Sequence, residues 1–341
     1  MEGDEEVNVE QWNSANIERW YEPIKDFTFK TVFLPLKQDS AAALSRACLV
    51  RLSGGTEQQV LEHAQDGELL EELERVLEEA IRPFREAGNA AFVKLSSRSP
   101  KDATVASGKT DALYQEIIER FQQEGRVIDD NAKVCALYEA HLSALKVFSG
   151  KEALELLSSS GRIQQDIQLL LDTKHNDFDL QVIVREWVNI PISNEFRGFV
   201  YENRLTAVTQ YFDMCYFPEL NQHETRRAQV LQQLEKTFTK AKPNIPLSSY
   251  IIDFCISQRK ASLNEEISKE GEDDGGDKVY IIELNPWSSF TDAGLFSWVK
   301  DAPLLRGEEQ TEEQQVAFRV RDRPIQKARF EVLTPWKKYF S

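Results

Sequence analysis

The residues in this 341-residue chain that could do chemistry are polar groups set into apolar runs. Val279–Leu284 is rich in β-branched and aromatic residues and reads as a strand, with Glu283 near its end and Asn285 two residues on. Side chains alternate faces along a strand, so Glu283 and Asn285 point the same way. Two oxygen donors at a strand end are a seat for a hard cation such as Mg²⁺. Pro286 has no N–H and ends the ladder. Tyr250–Ser257 is a further strand with Asp253 between Ile252 and Phe254. A buried carboxylate there needs a partner. The polar stretch 258–278, read as a flexible hairpin tip, joins these strands, so Asp253, Glu283 and Asn285 can converge as a three-oxygen metal set.

The basic groups are Lys94, Arg185 and Arg197. Lys94 interrupts the short apolar strand Ala91–Leu95, where its ammonium must reach either solvent or an anion. The residues that follow, SSRSPKD (96–102), have the hydroxyl and basic content of a mobile phosphate-covering loop. They lack the Walker glycine pattern, which excludes a P-loop. Arg185 and Arg197 lie in apolar strands with Glu186 and Glu195 close by, and are either ion-paired or aimed at a phosphate.

The elements that must position these groups alternate along the chain. Residues 1–10 read as a disordered acidic tail, and Gln11–Tyr21 as a short helix whose Trp12, Trp20 and Tyr21 dock on the core. Phe27–Leu36 reads as a strand broken by Pro35, and Val60–Ala87 as an amphipathic helix with a solvated glutamate face. Residues 111–172 are helical, a lobe or insertion whose later part carries little chemistry. Three strands follow at Leu180–Val188, Glu195–Tyr201 and Leu205–Tyr211, the last two joined in a hairpin by Glu202-Asn203-Arg204, and then a helix at Thr225–Lys240. His141 reads as a helix-surface or core histidine, and His63 and His175 carry no signal.

Bulk composition narrows the function classes. At 41% hydrophobic and 29% charged the chain can build a core. A net charge of −16 argues against a nucleic-acid backbone or an anionic membrane as partner, and leaves room for a basic protein. Cys48, Cys135, Cys215 and Cys255 are widely spaced, which favours buried reduced thiols over a zinc site or disulfides. No apolar run approaches the roughly 18 residues of a membrane span, and the N-terminus is acidic where a targeting peptide is basic. The expectation is a cytoplasmic protein, monomeric by itself.

A strand lysine, strand arginines and a closing Asp…Glu-x-Asn resemble the ATP-grasp nucleotide site. More closely, four segments in order resemble the cell division cycle protein 123 family: WYEPIKDFTFKTVFLPL (20–36), AFVKLSSRSPKDA (91–103), VREWVNIPISNEFRGFV (184–200) and VYIIELNPWSSFTDAGLFSW (279–298). The resemblance implies an α+β ATP-grasp fold of two lobes, about 11–183 and 184–341, whose antiparallel sheets enclose a nucleotide, with a helical insertion at about 111–172. It implies Lys94 on the phosphates with Asp102 in the adjoining loop, and Val184, Arg185, Glu186 and Trp187 as the hinge beside adenine. Arg197 becomes a further phosphate or site-organising contact, and Asp253, Glu283 and Asn285 hold Mg²⁺. The implied function is an ATP-binding assembly chaperone for translation initiation factor 2 that contacts its gamma subunit. The aromatic N-terminal region and the C-terminal segment 316–341 are candidate contact surfaces. Two departures stand out: the family's KLNWS is Lys94-Leu95-Ser96-Ser97-Arg98 here, and Glu283 replaces an aspartate. An ATP-grasp carboxylate–amine ligase would use the same nucleotide residues, but no acceptor constellation is visible. A divergent ATP-binding paralogue with another partner is the remaining alternative.

Overall fold

The computed structural model describes residues 14–60, 64–106, 108–172, 178–222, 224–257, 277–308, 316–326 and 334–340. The acidic tail, Trp12, His63, His175 and residues 258–276 of the polar linker lie outside the described residues. Among the described residues the α-helices longer than one turn are α1 (Ile17–Ile24), α2 (Gln38–Leu52), α3 (Ala64–Glu86), α4 (Gly108–Gln123), α5 (Asp130–Ser143), α6 (Gly150–Ser158), α7 (Gly161–Asp172) and α8 (Glu224–Ala241). The strands are β1 (Thr31–Pro35), β2 (Ala91–Leu95), β3 (Gln181–Glu186), β4 (Glu195–Tyr201), β5 (Arg204–Gln210), β6 (Tyr250–Ser257), β7 (Lys278–Pro286) and β8 (Ala317–Arg319). The class is mixed α+β. No helix among the described residues is long and apolar enough to cross a membrane.

The chain forms two compact units that exchange segments. One comprises Lys30–Trp187 with Gln326–Ser341, the other Met1–Phe29 with Val188–Ile325. The 184–187 segment thus belongs with Lys94, because β3 is the central strand of the sheet that carries Lys94.

In the first unit β1, β3 and β2 form an antiparallel sheet in that order. Val32 pairs with Val184 and Val184 with Val93, while Leu34 pairs with Val182 and Val182 with Leu95. This period-two pattern gives the sheet one apolar face, packed with Leu44, Leu77, Ile81, Leu157, Ile163 and Ile167 of the helices. Helices α6 and α7, in the stretch read as an insertion, are therefore part of this core. The solvated glutamate face of α3 is as expected, with Arg75 bridging Glu72 and Glu79. Gly150 opens α6 against α3, and a Cβ there would lie 2.2 Å from the Glu74 carbonyl oxygen. His141 on α5 is a core histidine: its ring meets that of Trp336 edge-on and its Nδ1 lies 2.6 Å from Thr104 Oγ1. Burial, reinforced by Lys101, pushes its pKa down to about 4.

In the second unit the sheet order is β7-β6-β4-β5-β8, antiparallel except for the β5–β8 pair. Glu202 and Asn203, at φ 46° and 63°, make the tight β4–β5 turn, where two successive left-handed residues match the strand twist. One sheet face meets Val230, Leu234 and Phe238 of α8. On the other, Phe199, Ala207 and Ile251 pack beneath Phe296, Leu305, Trp287 and Trp298. Trp20 of α1 is fully buried and donates to the Ala15 carbonyl, so it docks on the core as its composition suggests. All four cysteines are free and buried, in agreement with the sequence reading.

Two predictions follow from this packing. Gly150→Ala overpacks the α6–α3 crossing and should cost about 1–3 kcal/mol, read as a lower urea midpoint at unchanged slope. His141 stays neutral when folded but takes up a proton at pH 6.5 when unfolded. Its stabilising contribution is therefore complete above pH 6.5 and lost as pH falls toward 4, by up to about 3 kcal/mol. His141→Gln should flatten the stability–pH curve across that window, and an unchanged curve would contradict the assignment.

Candidate functional site

A row of polar residues crosses the whole five-stranded sheet on one face. Glu283, Asp253, Arg197, Thr209 and Arg319 are consecutive cross-strand partners from β7 to β8. At its centre Arg197 Nε and Nη2 donate to the two Asp253 carboxylate oxygens at 2.8 and 2.9 Å. Both side chains are buried, 8% and 2% exposed, so this is a desolvated bidentate pair. Burial opposes the Arg197 charge, but the Asp253 carboxylate outweighs it and raises the guanidinium pKa further. Arg197 is held from two more sides, by the Asp292 carbonyl at 2.7 Å and by the Tyr211 ring, 4.9 Å from its Cζ. Of the two roles open to this arginine, the structure gives the ion pair.

Asn285 lies on the same sheet face as Glu283 and donates to Asp253 Oδ2 at 3.1 Å. Asp253, Glu283 and Asn285 therefore do come together, as their spacing suggests. Among the described residues no group of three His, Cys, Asp or Glu side chains could cage a metal. One or two carboxylates with an amide suit Mg²⁺ in a different mode, in which the ion keeps waters and takes further oxygens from a phosphate ligand. The donor set fits such a cation. Farther along the row Arg319 pairs with Asp301, at 2.6 and 2.8 Å, and covers Phe296, fixing β8 structurally.

In the first unit the sheet face opposite the helices carries Thr31 and Phe33 of β1, Ile183 and Arg185 of β3, and Phe92 and Lys94 of β2. Lys94 faces Ile183 and Arg185 faces Phe92, so the two cations are diagonal neighbours, typically about 7–8 Å apart between strands. Lys94 is 3% exposed and Arg185 4%, which removes the solvent-face reading of Lys94. The Trp187 ring meets Phe92 edge-on, and Lys146 Nζ lies 5.2 Å from its centroid. Burial, then neighbouring Lys109, lowers the Lys146 pKa. This is a concentration of positive charge and aromatic surface on one sheet face.

The other predicted residues lie elsewhere. Val184 points into the helical core. Glu186 ends β3, its carboxylate accepting from Asn89 Nδ2 at 3.3 Å. Asp102 turns to the start of α7, accepting from Ser160 Oγ at 2.5 Å and from the Arg162 amide at 3.1 Å. The 96–102 loop is correspondingly tied down. Ser97 Oγ donates to Asp166 of α7 at 2.5 Å, and Arg98 Nη2 lies 2.6 Å from the same carboxylate. Burial raises the Asp166 pKa, against the pull of Ser97 and Arg98. Sequence reasoning passed over Asp166. The available signal was an acid beside Ile163 and Ile167 on the apolar stripe of α7.

Fold and site together define an α+β protein with a buried cation pair on one sheet and an acidic, oxygen-rich row on another. The D123 family model matches residues 136–335, more than half of the chain, and the chain belongs to that family. It is 22% identical to the translation initiation factor eIF2 assembly protein of Sclerotinia sclerotiorum, over 84% of this chain and 63% of that protein. It is 25% identical to cell division cycle protein 123 of Yarrowia lipolytica, over 82% of this chain and 64% of that protein. The chain thus spans somewhat less than two thirds of the length of these relatives. Its fold is similar to the solved structure of Cdc123 from Schizosaccharomyces pombe, with a TM-score of 0.58, 21% identity, and coverage of 91% of this chain and 96% of that one.

The pairing of Asp253 with Arg197 makes it a poor residue with which to test metal binding. Asp253→Ala leaves a buried guanidinium uncompensated and should destabilise the chain by about 3–5 kcal/mol. Glu283→Gln, beside it on the edge strand and half-buried, should cost less than Asp253→Ala. Chemical denaturation of both variants checks this, and equal midpoints would contradict the central role of the pair.

Proposed function

We propose that this chain binds Mg²⁺–ATP and acts as a cytoplasmic assembly factor for translation initiation factor eIF2, contacting its gamma subunit. The observation that carries the nucleotide reading is the pair of buried cations, Lys94 and Arg185, side by side on an otherwise largely apolar sheet face. Concentrated positive charge of this kind suits a phosphate chain, with the arginine fork reading oxygens and the lysine acting as a point charge. The aromatic surface of Phe92 and Trp187 suits a base. Glu283 and Asn285, with Asp253 oriented by Arg197, would hold the Mg²⁺, which when bound neutralises phosphate charge. The order of the four resembling segments supports an ATP-grasp fold.

The eIF2 role is supported by family membership and by the names of the relatives. A net charge of −16 suits a basic protein surface as partner. The chain is taken to act as a monomer that retains its nucleotide while the factor assembles.

Lys94→Ala should weaken ATP binding about tenfold or more, while Glu283→Gln should remove the enhancement by Mg²⁺ and leave metal-free ATP binding unchanged. Calorimetry distinguishes the two effects, and equal affinity in parent and Lys94→Ala would sink the phosphate assignment. Immobilised parent chain should retain purified gamma subunit at stoichiometric levels, and failure to do so would overturn the assembly role.

A further inference from the structure

The loop that follows Lys94 is held by helix α7 from both ends. Near its start, Ser97 and Arg98 converge on Asp166, a carboxylate 2% exposed in the middle of α7. At its end, Asp102 accepts from Ser160 and from the Arg162 amide in the first turn of the same helix. Ser160 Oγ in turn accepts from the Ile163 amide, so loop and helix start share one hydrogen-bonded unit. Within the loop, the Leu95 amide donates to the Arg98 carbonyl and the Ala103 amide to the Pro100 carbonyl. The helix is itself fixed, because Ile163 and Ile167 on either side of Asp166 are fully buried in the core of the unit.

We infer that Asp166 is a positioning residue for the anion site at Lys94: it fixes the 96–102 loop, which directly follows the strand carrying the lysine, against α7. This inference rests on the nucleotide reading above. Its physical signature is a sign. A carboxylate repels a phosphate, so loss of the Asp166 charge should tighten anion binding if charge were all that mattered. A positioning role predicts the opposite, because release of Ser97 and Arg98 loosens the loop and the ligand must then order it. The stretch from Ser96 to Asp102 would move from a fixed platform toward an ensemble, and the phosphate end of the ligand would bear the loss.

The test is Asp166→Asn in the full chain, with Asp166→Glu as the conservative control and a thermal melt to show that each variant is folded. In calorimetry with Mg²⁺–ATP and with adenosine, Asp166→Asn should bind ATP about tenfold more weakly and adenosine within about twofold of parent. Asp166→Glu should recover part of the loss. Amide hydrogen exchange of residues 96–102 in the ligand-free protein should speed up in Asp166→Asn. Equal or tighter ATP binding by Asp166→Asn, with unchanged exchange, overturns the inference and leaves the nucleotide reading standing. Absence of ATP binding in the parent overturns the nucleotide reading and, with it, the role assigned to Asp166, while the exchange measurement still reports whether Asp166 pins the loop.

Discussion

The buried pair of Arg197 and Asp253 is the interaction on which the candidate metal row depends. A guanidinium in the central strand of a five-stranded sheet is tolerable only with a carboxylate across from it, in bidentate geometry and with its remaining donors satisfied. Asp253 supplies the carboxylate, the Asp292 carbonyl takes a third donor, and Tyr211 covers the flat face. The pair in turn orients Asn285, whose amide donates to Asp253. Asp253 and Asn285 are thus both positioned, directly or at one remove, by the Arg197 guanidinium.

The same economy appears in the other unit, with the signs reversed. Lys94 and Arg185 sit, buried, on the sheet face opposite the helical core. The helices contribute at one remove, since α7 holds the loop after Lys94 through Asp166 and caps its own first turn with Asp102 of that loop. A carboxylate that looked available for a ligand is in this way committed to the scaffold, and one that attracted no notice holds the scaffold to the loop.

Strands were legible where short apolar runs are bounded by polar or turn residues: β4 and β6 have the bounds read from sequence, and β3, β5 and α8 differ by one or two residues at each end, whereas β1 covers only Thr31–Pro35 of the stretch Phe27–Leu36 read as a strand. The shared face of Glu283 and Asn285 was legible from their spacing. Their convergence with Asp253 was also expected from the linked strands, but the exact register that achieves it was not legible, because it depends on a bulge. Ile281 faces Phe254, and the next pair is Glu283 with Asp253, so Ile282 is the extra residue that brings Glu283 into the row. No local pattern announces a bulge of that kind. The partners of Arg98, Asp102 and Asp166 were illegible for another reason: they are joined across 58 to 69 positions of sequence by helix packing. The exchange of segments between the units also follows from strand pairing at long range, since β1 and β3 are distant in sequence and adjacent in the sheet.

The most direct measurement of the account is a calorimetric titration of the unmodified chain with ATP, with and without Mg²⁺. A Mg²⁺–ATP site predicts one nucleotide per chain and markedly tighter binding when Mg²⁺ is present. Absence of binding, or an affinity indifferent to Mg²⁺, would contradict it.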